Sequence, residues 1–242
     1  MSLQTNHRWT FGPRFRKGAF GWRSQPAILR IREVLSEIKK AARKNPILGA
    51  EGAVLFLEKI SAALAKVDGS SGAIGAEVKA AADVLVPIIA VAPADESLRG
   101  KWLDRPWLAV QNDNYSYIDQ LPDRWGDLCV SPETASIWAD SFIDTVRMCW
   151  SGEQNRGGFY RGSAACLSAL YTAGRFKEIL ELVGLVPYKS WSYRQWGVKA
   201  LAAMGEKTEA LRFAEDSLGR AGQPLVLRSQ DLDPGGARSD GD

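Results

Sequence analysis

Histidine is nearly missing from this chain: His7 is the single one among 242 residues. A proton shuttle or catalytic triad built on imidazole would rest on that one side chain, so histidine-dependent catalysis is set aside. Cysteine is sparse too. Cys129, Cys149 and Cys166 are odd in number, form no CxxC pair and have no histidine nearby. That pattern argues against a disulfide framework and against a structural zinc site. The three thiols sit inside apolar helical patterns and read as small buried hydrophobes in a reducing compartment. No metal and no cofactor is expected.

Long apolar runs are lacking as well. The N-terminus has no signal-peptide h-region, and the longest apolar stretch, Val84 to Ala94, is too short to span a bilayer and holds Pro87 and Pro93. A cytoplasmic protein without membrane association is expected. Alternating strand patterns bounded by hairpin turns do not occur. Neither GxSxG nor HExxH is found. The Gly69-Ser70-Ser71-Gly72 turn lacks the lysine and the spacing of a phosphate loop and reads as a helix cap.

What remains is an ordinary globular composition, with 45% hydrophobic and 24% charged residues, on a chain long enough to bury a substantial core. Nine tryptophans are many for this length, and large rings suit the interfaces between successive helices. Helical periodicity dominates. Ile28, Ile31, Leu35, Ile38 and Ala42 recur at three- and four-residue steps after Ser24-Gln25-Pro26, and that helix ends before Asn45-Pro46. Ile47 to Val67 continue the pattern, and a third helix spans about 72–92, kinked or ended by Pro87. Further helices are predicted over about 95–112, 115–129, 132–150, 160–173, 175–186, 190–204 and 206–219. The fold class is all-α. The domain reading is a basic aromatic arm over 1–24, a helical-repeat domain over 25–219 and a disordered tail over 220–242.

The later helices repeat. Ala169-Leu170-Tyr171-Thr172-Ala173-Gly174-Arg175-Phe176 aligns with Ala200-Leu201-Ala202-Ala203-Met204-Gly205-Glu206-Lys207, with Gly174 and Gly205 31 positions apart. This is close to the tetratricopeptide period and resembles its helix–turn–helix, a small residue between helices followed by a glycine turn. The aromatic after the turn survives only as Phe176. Taken as a whole, through Arg14 to Ile28, Glu51 to Lys59, Asp68 to Gly72 and Ser190 to Gly197, the chain resembles an uncharacterised bacterial helical-repeat family. The resemblance implies antiparallel hairpins stacked as a tetratricopeptide-like solenoid and implies no activity. Relatives of that type carry further helices, and no polar capping helix follows the last periodic segment here, so a truncated or frameshifted C-terminus is expected.

Charge is unevenly placed. Through Lys44 there are eleven Lys/Arg against two Glu, and the remainder has twenty against twenty-six. Arg8, Arg14, Arg16, Lys17 and Arg23 are interleaved with Trp9, Phe11, Phe15, Phe20 and Trp22. Cations neutralise phosphates and rings stack on unpaired bases, so Arg8, Arg14, Arg16, Lys17, Arg23 and Trp22 form a candidate nucleic-acid site. The arm can instead dock its rings in a helical groove with its arginines against the acidic middle segment, or hang as a solvated tail. That middle segment holds Asp104, Asp113, Asp119, Asp123, Asp127, Glu133, Asp140 and Asp144, most of them expected to cap helices. A pocket gathering several of them with raised pKa values would reopen an enzymatic reading. The leading expectation is a non-enzymatic protein that binds an unidentified peptide or protein partner. Tyr171, Tyr188, Trp191, Tyr193, Arg194, Gln195 and Trp196 form its candidate surface, because aromatics and arginine concentrate there. The competing reading of these rings is packing between hairpins.

Overall fold

The computed structural model describes residues 7–151, 160–186 and 190–221, with side chains through Ser217. The expected tail over 220–242 lies almost wholly outside the described residues. Ten α-helices and no strand occupy them. In chain order they are α1 (Ser24–Lys44), α2 (Pro46–Leu64), α3 (Ala73–Val91), α4 (Glu96–Gln111), α5 (Trp125–Cys129), α6 (Pro132–Ser151), α7 (Gly162–Thr172), α8 (Phe176–Leu185), α9 (Trp191–Ala203) and α10 (Lys207–Ala221). Each helix packs chiefly on the next one or two in chain order: α1, α2 and α3 touch one another, α4 crosses α2, α5 joins α3 to α7, and α6 to α10 pack in succession.

Local sequence explains the boundaries. Asn45 caps α2 by accepting from the Leu48 N–H at 3.1 Å, with Pro46 in the first turn, and Asp95 caps α4 from the Leu98 N–H at 2.8 Å. Serine does less than expected before α3. Gly72, at φ 72°, holds the cap position, Ser71 accepts only a 3.4 Å bond from Ala73, and Asp68 organises the turn through Ser70. Pro87 does not end α3, which runs on to Val91. The carbonyls freed at its C-terminus are taken by the buried guanidinium of Arg99, which donates to Ile89 at 2.7 Å and Ala92 at 2.9 Å.

The helix expected over 115–129 is mostly absent. Residues 112–120 form a loop, followed by a 3-10 turn over Leu121–Arg124 and the short α5. The Asp113 carboxylate accepts the N–H groups of Tyr115 and Ile118, so it competes for donors a helix would need, and Ser116 takes a left-handed φ of 55°. Beyond it, Trp107, Trp125, Trp138 and Phe142 pack ring on ring at 4.7–6.3 Å across α4, α5 and α6.

The N-terminal arm is folded onto the helices. Trp9, Phe11, Phe15 and Phe20 are buried, each ring 4.7–5.5 Å from the next, and Phe15 meets Phe56 of α2 at 5.7 Å. Trp9 packs closely against Gly52, where any Cβ would collide with the indole. Gly18 donates to the Ala62 carbonyl at 2.8 Å, and Asp68 donates from its backbone to Trp22 at 2.9 Å. The rings therefore dock as one reading expected. The arginines do not follow them onto the acidic middle segment: that segment's carboxylates pair elsewhere, Asp127 with Arg124 and Asp140 with Arg175.

Candidate functional site

The 112–120 loop is pinned from beneath. Asp113 is fully buried and takes a short hydrogen bond from the Ser61 hydroxyl of α2 besides its two backbone donors. Three charge-assisted bonds make this carboxylate the loop's anchor. The following 3-10 turn is tied to α7 through Ser168, whose hydroxyl donates to the Asp123 carbonyl at 3.0 Å and accepts from Gly126 N–H at 2.9 Å.

Between this loop, the start of α7 and the start of α9 lies a cavity of about 210 Å³. Val110, Pro122 and Ala164 give it apolar wall, Tyr160 and Tyr193 contribute rings, and Ser116, Asp119, Asp123, Arg161 and Ser192 contribute polar groups. Tyr193 is braced by Trp150 at 5.0 Å, and Arg161 donates from Nη1 to the Val110 carbonyl at 2.8 Å. The carboxyl groups of Asp119 and Asp123 are both pushed above their ordinary value. Burial is the main cause in each; the Asp113 charge adds to it at Asp119, and the Asp119 charge adds to it at Asp123. Opposing pulls come from the backbone N–H groups of Gln120 and Asp119 and then from Arg161 on Asp119, and from Lys199, the Trp196 indole N–H and Lys79 on Asp123. The Trp196 indole N–H and the Asp123 carboxylate are close enough to act on each other, although neither Trp196 Nε1 nor Asp123 Oδ1 makes a well-formed hydrogen bond among the described residues.

The residues singled out around α9 divide. Trp191, in the first turn, is 45% exposed, and Tyr193 is half-buried at the cavity wall. Arg194 and Trp196 are buried. Arg194 pairs with Asp216 at 2.8 Å, bonds Ser217 and lies 4.0 Å over the Phe213 ring, so it ties α9 to α10 rather than facing a partner. Trp196 packs on Tyr171 of α7 at 5.9 Å. Gln195 bonds the Ser192 carbonyl at 3.0 Å. Tyr188 lies outside the described residues. Helix α9 has neighbours on three sides (α7, α8 and α10), which leaves few of its positions open.

Of the central carboxylates, Asp127 and Glu133 lie in helix first turns, as capping predicts. Asp113 instead anchors a loop, and Asp119 and Asp123 reach the cavity. Their meeting with Tyr160, Arg161 and Tyr193 has no sequence motif; the only trace of it was the density of acidic residues.

On the opposite end of the chain, Arg8, Arg14, Arg16, Lys17, Trp22 and Arg23 are all exposed, Trp22 at 70%. None of these cations forms an ion pair among the described residues. The thiols of Cys129 and Cys166 are buried and raised to about 12 by desolvation, which makes them poor nucleophiles. Among the described residues there is no cluster of three His, Cys, Asp or Glu that could hold a metal, and no helix long and apolar enough to cross a membrane. No family model, curated protein or solved structure matches this chain.

Proposed function

We propose that this is a cytoplasmic, non-enzymatic interaction protein that seats a segment of a partner protein against the start of α9. The observation that carries the reading is the exposed ring of Trp191 next to a cavity to which Ser192 and Tyr193 of the same helix contribute. An accessible aromatic anchor beside a concavity is how binding hot spots are built. The nearest-neighbour packing of α1 to α10 supports a stacked-hairpin, tetratricopeptide-like solenoid, in which each unit contacts only its neighbours. So do the matched turns at Gly174 and Gly205. The raised carboxyls of Asp119 and Asp123 meet the condition that reopened an enzymatic reading, but acid–base pairs work through environments that drive two pKa values apart, and here both move upward. Photo-crosslinking from position 191 tests the proposal. Nuclease-resistant adducts to a protein, lost with Tyr193→Ala and not formed from exposed Ile137, are expected. Adducts that vanish with nuclease, or that form equally from both positions, would sink it.

A second reading has its own observation. Arg8, Arg14, Arg16, Lys17 and Arg23 are exposed and unpaired by carboxylates among the described residues, with Trp22 beside them, which suits RNA or single-stranded DNA. Burial of the other four arm rings removes most of the stacking surface and makes the attraction chiefly electrostatic. Affinity for a single strand should fall steeply with salt, and changing Arg14, Arg16 and Lys17 to Ala should reduce the salt slope by about 2. Salt-insensitive binding would remove this reading.

A further inference from the structure

Helix α1 presents an outward face of exposed residues. Ala27, Ile28, Ile31, Val34, Leu35 and Ile38 turn to the core, against α2 and α3. On the opposite side Leu29, Ser36 and Lys40, at seven- and four-residue steps, form an exposed crest. Cations line both of its flanks. On one, Arg32, Lys39 and Arg43 border a groove of about 320 Å³. On the other, Arg14, Arg16 and Arg30 border a groove of about 660 Å³ between α1 and the docked arm.

Most of this charge is uncompensated. Arg32 is held by Glu77 at 2.7 Å and Arg30 donates to the Ala19 carbonyl at 3.2 Å, but Arg14, Arg16, Lys39, Lys40 and Arg43 form no ion pair among the described residues. Of the facing carboxylates, Glu77 is taken by Arg32 and Glu37 by the Thr10 N–H and hydroxyl, which leaves Glu33 without a partner among the described residues. Cations crowded on one surface repel one another and attract a polyanion. Arg32 to Arg43 spans about 17 Å at 1.5 Å per residue, or about five phosphate steps of one strand. Unpaired bases need rings, and the docked arm has buried Trp9, Phe11, Phe15 and Phe20, leaving Trp22. A lipid surface needs a broad apolar face to enter it, whereas Leu29 and Trp22 are the exposed large apolar side chains here. A helix about 10–12 Å across with a cation row on either side matches a duplex groove about 12 Å wide, with a phosphate strand along each wall. The major groove of A-form RNA is too narrow to admit it.

We infer that the crest of α1 seats in the major groove of a B-form DNA duplex, with Lys39 and Arg43 on the phosphates of one strand and Arg14 and Arg16 on those of the other. The inference rests on the nucleic-acid reading of the N-terminal end and narrows its target from an unpaired strand to a duplex. Ser36 and Lys40 on the crest are the side chains that reach base edges, and Glu33 beside them is the one free group that opposes the phosphates.

Fluorescence anisotropy on the full chain tests it with a short labelled DNA duplex, one of its strands alone, and the RNA duplex of the same sequence. The DNA duplex should bind at least about tenfold more tightly than either alternative, and its affinity should fall steeply with salt. Changing the exposed Lys39, Lys40 and Arg43 to Ala should cost about tenfold and make the salt slope shallower by about 2 to 3. Glu33→Gln should instead tighten binding, by about twofold to threefold. Guanine N7 of the bound duplex should be protected from methylation, because that atom lies in the major groove. Circular dichroism establishes that each variant is folded. A single strand or an RNA duplex bound as tightly as the DNA duplex would overturn the inference and leave the broader reading in place. So would an α1 variant of unchanged affinity where Arg14, Arg16 and Lys17 to Ala abolishes binding, or a bound duplex with its N7 atoms unprotected. No binding to any of the three would remove both readings, and flotation with phosphatidylserine vesicles would then assign the face to a lipid surface.

Discussion

Two aspartates ten positions apart, Asp113 fully buried and Asp123 half-buried, do opposite things to stability. Asp113 is saturated with donors from Ser61, Tyr115 and Ile118, so Asp113→Ala should cost about 2–3 kcal/mol and free the 112–120 loop. Asp123 is under-supplied, and burial raises its pKa above the ordinary 3.8. The sign follows from proton counting. Between 3.8 and the raised value the folded chain binds more protons than the unfolded one, so stability falls as pH rises through that window and stays lower above it. An amide carries no such penalty. Asp123→Asn should therefore melt higher than the wild type at neutral pH, with the difference shrinking as pH is lowered to 3.8. Thermal melts at the two pH values check this. A variant that melts lower at neutral pH would mean that Asp123 is held by bonds the folded chain does supply, the Trp196 indole foremost.

Helices here end by recurring devices, and the clearest is shared by α7 and α9. After each, a glycine at positive φ (71° at Gly174, 86° at Gly205) closes a Schellman turn: Arg175 donates to Leu170 and Gly174 to Tyr171, as Glu206 does to Leu201 and Gly205 to Ala202. Ala169 and Ala200, one turn earlier, are fully buried at matching places. Gly174→Ala and Gly205→Ala should each cost about 1–2 kcal/mol in chemical denaturation, the left-handed penalty for a side chain. A value near zero at either site would mean that its turn relaxes and that the repeat is not a matched structural unit. This repeat was legible in the sequence because glycine turns and small packing residues leave fixed spacing behind. The helices α1 to α4 and α6 to α10 were legible for a similar reason, since their apolar stripes carry the period of the helix itself. The 112–120 loop was not. What unwinds it is a carboxylate locked by Ser61, 52 positions away, and no local pattern records that partner. The cavity was illegible on the same ground: Asp119 and Asp123 meet Tyr160, Arg161 and Tyr193 only after α7 and α9 have packed.

Over the whole molecule, contacts run mainly to the next one or two helices, while the buried side chains from Trp9 to Ala200 form one continuous core. The two ends also differ in kind. The docked arm packs on α1 and α2, with Trp9, Phe11, Phe15 and Phe20 buried, whereas α8 to α10 rely on close helix contacts such as Gly197 against Phe213 and on the Arg194–Asp216 pair. A Cβ at Gly197 would stand 2.7 Å from the Phe213 ring and 3.3 Å from Val183, so Gly197→Val must force α9 away from α10 and α8. The expected local cost is about 1–3 kcal/mol. If the chain is quasi-one-dimensional, hydrogen exchange in this variant should lose protection in α8 to α10, partly in α7, and hardly at all in α1 to α3. Equal loss in every helix would show a single cooperative unit and would count against the stacked-hairpin arrangement. The distinction bears on function, because the proposed partner surface at Trp191 and the cavity beside it both draw on α9. In a chain of local terms, anything that seats there stabilises the C-terminal helices first and leaves the basic N-terminal face free to act on its own.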